Sequence, residues 1–195
     1  MSSPAAGRPA GAAGPRDPED VLAAARDGDP AAFAELYREL HPRLLRYAIS
    51  LVGQDGEDVV AEAWLQIARD LRRFTGDVMG FRGWTVTIVR NRAFDHLRAV
   101  QRRPTTPLEE FFLDRPADDD TAVAATDNLS TEAALQMIAS LPVDQAEAVL
   151  LRTVIGLDGP TAAKILGKRP GAVRVAAHRG LKSLGRMLDA GGSNA

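Results

Sequence analysis

The chain has 195 residues, no cysteine, 45% hydrophobic and 26% charged residues, and a formal net charge of −2. At about 100–200 residues per domain this allows one domain or two small ones, and the missing cysteines exclude a disulfide framework, a thiolate zinc site and a cysteine nucleophile. Nothing approaches the roughly 18 apolar residues of a membrane-spanning helix, and no basic-then-apolar secretory signal opens the chain; the expectation is a soluble, cytoplasmic protein with no membrane insertion of its own.

Residues 1–28 are expected to be a disordered tail and lead-in. Met1 to Arg16 are nearly all Ala, Gly, Pro and Ser, with too little apolar mass to offset the entropy of ordering. From Asp29 helical signals dominate. Asp29-Pro30 is an N-cap followed by proline at the first helical position, and Phe33, Leu36, Tyr37 and Leu40 recur at helical spacing. His41-Pro42 interrupts that helix or begins the next, which carries Leu44, Leu45, Ala48 and Leu51. Gly53 to Gly56 reads as a turn. Glu57 and Asp58 suit the positive end of a new helix, along which Val60, Trp64, Ile67, Leu71 and Phe74 are spaced 4, 3, 4 and 3. Gly76 to Gly83 reads as a loop, and Trp84 to Arg98 as a further helix.

Pro104 and Pro107 then break helix, and residues 104–135 hold eight acidic groups against one basic. A long stretch without periodicity is improbable inside a compact domain, so an acidic linker is placed at 104–129. Helical signals resume at Ser130, with Thr131 and Glu132 near a helix start and Leu135, Ile138 and Leu141 following. Leu141-Pro142 begins another helix through Arg152, and Gly156 to Pro160 makes a turn. No period-2 pattern of useful length occurs. The expected fold class is therefore all-α: two small helical domains, 29–103 and 130–190, joined by an acidic flexible linker, with a short tail at 191–195.

The sharpest local signal lies in the second domain. A short helix from Pro160 to Leu166 offers Ala162, Ala163 and Leu166 for packing, Gly167 supplies a tight turn, and a second helix starts near Pro170. Small residues at Ala162 and Ala163 let two helices cross closely, as a helix-turn-helix requires. Residues 159–188 hold seven basic groups and no acidic one. Such a second helix enters the DNA major groove with its N-terminal half toward the bases; the bland alternative is a helical hairpin with a solvated basic face.

Leu141-Pro142, Ala148 to Arg152, Gly156-Leu157, Ala163 to Gly167, Gly171 to Arg174 and His178-Arg179 resemble the C-terminal domain of extracytoplasmic-function (ECF) sigma factors. Asp58 to Trp64, Phe81 to Trp84 and Arg90 to Arg98 resemble the N-terminal domain of the same family, in the right order with the linker between. The resemblance runs from about Asp29 to Leu188. It implies a subunit that binds core RNA polymerase, recognises −35 and −10 promoter elements and assists DNA melting.

For the polymerase, the resemblance points to Asp58 and Glu62, whose spacing places them on one helical face; the alternative is that Asp58 serves the helix N-terminus and Glu62 is solvated. Ala61 stands where the family often has glutamine. For the −10 element it points to a base pocket in the loop with Asp77 and Met79, and to Arg82, Arg90, Asn91, Arg98, Arg102 and Arg103. Six arginines against Asp95 alone between Arg82 and Arg103 suit a phosphate-tracking surface. Trp84 reads as core, with a base-stacking platform as its alternative. Asp95 pairs with Arg92 or Arg98 or caps locally, and His96 is a surface histidine by default. For the −35 element it points to Lys168, Arg169, Gly171, Arg174, His178, Arg179 and Lys182. Arg169 and Arg174 are the candidates for base contacts, because guanidinium addresses guanine bidentately.

The resemblance further implies an anti-sigma partner and a route for the acidic linker through the polymerase channels, against the alternative of a plain tether. The competing reading is a stand-alone helix-turn-helix transcriptional regulator. An enzyme is disfavoured: His41, His96 and His178 fall on different helices with no nucleophile or paired-carboxylate motif beside them. No metal or cofactor is implied.

Overall fold

The computed structural model describes residues 16–102 and 133–192. The expected tail before Arg16, Arg103, the acidic linker 104–129, the helix start at Ser130 to Glu132 and the last three residues lie outside them. The described residues are helical throughout apart from turns and short connections, and no strand occurs among them.

Asp–Pro pairs open the first two helices. In α1 (Pro18–Asp27) the Asp17 carboxylate accepts the Glu19 N–H at 2.9 Å; in α2 (Pro30–Val52) Asp29 accepts the Ala31 N–H at 2.8 Å. Each cap satisfies one of the donors a helix start leaves free. The amide of Ala31 holds the Asp29 carboxyl below the usual carboxylate range. Residues 18–27, expected to be part of the lead-in, form helix α1, with Val21, Leu22 and Ala25 buried against the rest of the first unit.

Pro42 corrects a second expectation, because α2 runs through it without interruption. An interior proline removes one backbone bond and costs about 3 kcal/mol. Burial of Leu36 and Leu40 on one side and Leu44, Tyr47 and Ala48 on the other offsets that cost by fixing both halves to one core. A single 3-10 turn, Gly53–Asp55, leads into α3 (Gly56–Asp70), which buries Val59, Val60, Ala63, Trp64 and Ile67.

Helix α4 spans Val78–Arg102, starting earlier than the expected Trp84. Two carboxylates explain the early start: Asp77 accepts the Gly80 N–H at 2.7 Å, and Glu19, reaching across from α1, accepts the Val78 N–H at 3.0 Å. The loop before it shrinks to Phe74 through Asp77.

The second unit begins with a helical segment at 133–139, designated α5. Helix α6 (Val143–Val149) widens into a π turn over Leu150–Val154, where the Ile155 N–H donates to the Leu150 carbonyl at 3.0 Å. Helices α7 (Gly159–Leu166) and α8 (Pro170–Gly192) follow. Asp158 caps α7 through the Thr161 N–H at 2.8 Å, and the bonds from Thr161 hold its carboxyl below the usual range. Gly167 adopts φ 64°, a left-handed conformation that costs glycine no Cβ clash, so the chain reverses between α7 and α8 within a few residues. Ala162, Ala163, Val173 and Ala177 are buried where α7 and α8 meet, making the expected helix-turn-helix.

Candidate nucleic-acid interface

Arg169 in the turn before α8, and Gly171, Arg174, His178, Arg179 and Lys182 on it, are all exposed, while Val173 and Ala177 turn inward. Arg174, His178 and Lys182 follow one another every fourth residue, which lines them along one side of the helix. Val175 lies among them and is 46% exposed. Lys168 is drawn aside by an ion pair with Asp144 at the start of α6. Between them, Pro142, Val143, Asp144, Val175, Ala176 and Arg179 line an open groove of about 630 Å³. Asp144 and Val143 were missing from the sequence-derived set, because only folding sets the α6 start beside the turn into α8.

The arginines of α4 are less uniform. Arg82 is paired with Glu39 of α2. Arg90 pairs with Glu147 of α6 at 3.1 Å and stands over the Phe94 ring, 4.5 Å from its centroid. Asn91 is exposed. Arg92 donates to Gln66 at 3.0 Å and lies 3.5 Å from Glu62 of α3. Asp95 takes Arg98 as its partner at 3.1 Å, with both side chains largely exposed, and the Arg102 Nε donates to the Arg98 carbonyl. His96 has a partner after all: its Nε2 lies 2.8 Å from Asp55 at the entrance to α3.

Beneath the Phe74–Asp77 loop, Phe74, Phe81 and Trp84 form a cluster with ring centroids 5.2–5.8 Å apart. Trp84 is half-buried within it and serves the core on which the loop rests. Asp77 is exposed, with one carboxylate oxygen engaged by the Gly80 N–H, and Met79 is half-buried.

On α3, Asp58, Ala61, Glu62 and Leu65 are exposed, and Leu65 is 74% exposed. Asp55, at the N-cap position of α3, makes no side-chain capping bond, and Asp58 lies in the first turn of the helix. Leu65, absent from the sequence-derived set, is the apolar member of this face. Its signal was available: it lies off the Val60, Trp64, Ile67 stripe and next to the acidic pair.

Among known proteins, residues 36–103 match the family described as Sigma-70 region 2, and residues 131–184 that described as Sigma-70, region 4. The ECF RNA polymerase sigma factor SigM of Mycobacterium tuberculosis is 32% identical over 177 residues, covering 89% of this chain and 85% of its own length. The chain belongs to the ECF sigma factors. ShbA of Streptomyces griseus, another ECF sigma factor, is 33% identical over 175 residues, 84% of this chain and 91% of that relative. BldN of Streptomyces coelicolor is 29% identical over 171 residues, and here the chain spans 65% of the relative's length.

Two solved structures show the same fold. One is CnrH in complex with the cytosolic domain of CnrY, with a TM-score of 0.61, 23% identity and coverage of 89% of this sigma factor and 99% of that chain. The other is the sigma factor RpoE in complex with the anti-sigma factor NepR from Bartonella quintana, with a TM-score of 0.56, 21% identity and coverage of 80% and 96%. Sigma factors are transcription initiation factors, and the α7–α8 helix-turn-helix of this one lies within its region 4 match. No helix among the described residues is long and apolar enough to cross a membrane, and no cluster of metal-ligating side chains occurs among them.

Proposed function

We propose that this sigma factor docks on core RNA polymerase through the exposed face of α3 and reads promoter DNA with two separate surfaces. The observation that carries the reading is the basic character of α8: from Pro170 to Leu188 the helix holds no acidic residue, and Asp189 near its C-terminal end is its first. Arg169 and Arg174, at the N-terminal end that enters a major groove, make the base contacts to the −35 element. Lys168, Arg179 and Lys182 hold phosphates, with His178 and Gly171 at the same face. The −10 element is taken by the Asp77–Met79 segment, which receives an unstacked base, and by Arg82, Arg90, Asn91, Arg98, Arg102 and Arg103 along the nontemplate strand. Asp58 and Glu62 supply the polar contacts to polymerase around Leu65.

The functional units are 29–103 and 130–190, with the acidic linker between them. The chain contributes no catalysis and needs no cofactor, because polymerase carries the chemistry, and it works in the cytoplasm. Both solved relatives are complexes, one with the cytosolic domain of CnrY and one with the anti-sigma factor NepR. An anti-sigma partner for this chain follows from that likeness. The alternative, a stand-alone helix-turn-helix regulator, accounts for α8 and leaves the Leu65 face without a use.

Run-off transcription with core polymerase on a pooled promoter library tests the proposal. Initiation that requires this protein and is lost in the Arg169→Ala/Arg174→Ala variant is the expected result. Duplex DNA binding without core-dependent initiation would favour the stand-alone regulator and overturn the roles given to α3 and α4.

A further inference from the structure

The first half of α8 carries a restricted side-chain chemistry. From Pro170 to Lys182 it holds no Asn, Gln, Ser, Thr, Asp or Glu. Gly171, Val175 and Arg179 follow one another every fourth residue, in a line beside the Arg174, His178 and Lys182 line. Val175 stands at the middle of that exposed arc, while the core side of the helix is taken by Val173 and Ala177. Ala172 is exposed and Ala176 half-buried on the flank that turns toward α6, where Pro142 and Val143 close the groove. Apolar groups therefore sit among the basic side chains on the face that meets DNA, and the packing of α7 on α8 does not account for them.

Each base edge in the major groove calls for its own side chain. Guanine presents two acceptors and takes Arg or Lys; adenine pairs an acceptor with an amino donor and takes Asn or Gln; the cytosine amino group takes a carboxylate; the thymine C5-methyl takes an apolar group. With amides, hydroxyls and carboxylates all missing from this half of α8, two kinds of reader are left. The basic side chains serve the guanine acceptors, and Val and Ala serve the thymine methyl. Ala172 and Val175 lie three residues apart, about 4.5 Å along the helix axis, against about 3.4 Å per base-pair step, so the two fall on neighbouring pairs. We propose that Val175, with Ala172 beside it, is a specificity-determining residue that reads the C5-methyl groups of neighbouring thymines next to the guanine taken by Arg169 or Arg174. This rests on the reading that α8 enters the major groove of the −35 element. Adenine in that stretch is then recognised through the methyl of its paired thymine.

Deoxyuridine in place of thymidine is the probe, because it keeps every hydrogen-bonding group of the base and removes the methyl alone. The full chain with core polymerase first selects duplexes from a random-sequence pool. The selected duplex is then synthesised with deoxyuridine at one thymidine position at a time, on either strand, and each version competes against the parent for the complex. Val175→Ala is the companion variant. Its side chain is exposed and alanine is the better helix former, so the fold of α8 survives the change.

The expected result is a loss of about fourfold in affinity per methyl removed at neighbouring thymines beside the selected guanine, with the loss at one of them shrinking to less than about twofold in Val175→Ala. Deoxyuridine tolerated at every position overturns the proposal, and so does a methyl dependence that Val175→Ala leaves unchanged. The Arg169→Ala/Arg174→Ala variant tells the two possible failures apart. If it loses the preference for the selected duplex over a scrambled one while deoxyuridine is tolerated, α8 still reads the −35 element and only the methyl contact is wrong. If it keeps that preference, α8 is not the reader, and the proposal falls with the reading it rests on.

Discussion

Replacing Gly56 by alanine tests how tightly α3 is held to α2. Gly56 has ordinary helical torsions, φ −60° and ψ −37°, so nothing in its backbone conformation calls for glycine. Alanine is favoured over glycine in a helix by about 0.8–1 kcal/mol, and propensity alone predicts stabilisation. The surroundings predict the reverse. A Cβ at Gly56 would stand 2.7 Å from Ile49 Cγ1, 2.8 Å from the Ile49 amide nitrogen and 3.0 Å from its Cα. Two of those three atoms are helix backbone, which cannot rotate away, so α3 must be displaced from α2. Overpacking of this kind costs about 1–3 kcal/mol, leaving a net loss of about 1 kcal/mol after the propensity gain. For a unit of this size that lowers Tm by about 4–8 °C. Gly185→Ala is the matched control: in α8, with nothing within 4 Å of its Cβ position, it is expected to stabilise by roughly 0.5–1 kcal/mol. Differential scanning calorimetry of the full chain reads both. If Gly56→Ala raises the transition as Gly185→Ala does, the backbone approach inferred for α2 and α3 is wrong.

Leu65→Glu leaves Tm within about 0.5 kcal/mol of equivalent stability, because the side chain is 74% exposed, and weakens core polymerase binding by about tenfold or more; an unchanged pull-down with core enzyme removes α3 from the docking face. Tyr47→Phe keeps the buried ring and deletes a hydroxyl that has no partner among the described residues, so stability holds or rises by up to about 1 kcal/mol. A clear drop in Tm would reveal a bond to that hydroxyl. Asp158→Ala removes the cap of α7 and costs about 1 kcal/mol near neutral pH. The Asp158 carboxyl is held below its ordinary value by Thr161; its extra stabilisation is therefore complete above the unfolded-state value of about 3.9 and is lost as pH falls through the lower folded value. Denaturant titrations of wild type and variant converge at low pH, and a gap that persists undiminished in acid contradicts the charged cap.

Some elements were legible before any coordinates because their causes are local. Asp29-Pro30, the Phe33–Leu36–Leu40 spacing and the α7–Gly167–α8 reversal follow from caps, periodicity and a left-handed glycine, each acting within a few residues. The same logic should have revealed α1. Asp17-Pro18 repeats the Asp29-Pro30 start, and Gly28 closes the helix at φ 99°, but the polar composition of the segment hid it. Only burial of Val21, Leu22 and Ala25 against neighbouring helices makes so short a helix stable.

For the candidate site, the sequence by itself determined which residues carry charge and which helix faces they share: the basic stripe of α8, the arginines of α4 and the acidic pair on α3. It also limited the fold to helices, since no period-2 run was present to build a sheet. Tertiary structure alone decided the partners. Arg90 meets Glu147 at a separation of 57 residues, Lys168 is taken by Asp144, and α4 begins at Val78 because Glu19 reaches it from 59 residues away. Periodicity is a property of neighbours along the chain. The pairing of charges depends on which helices pack together, and that is set by the whole core at once.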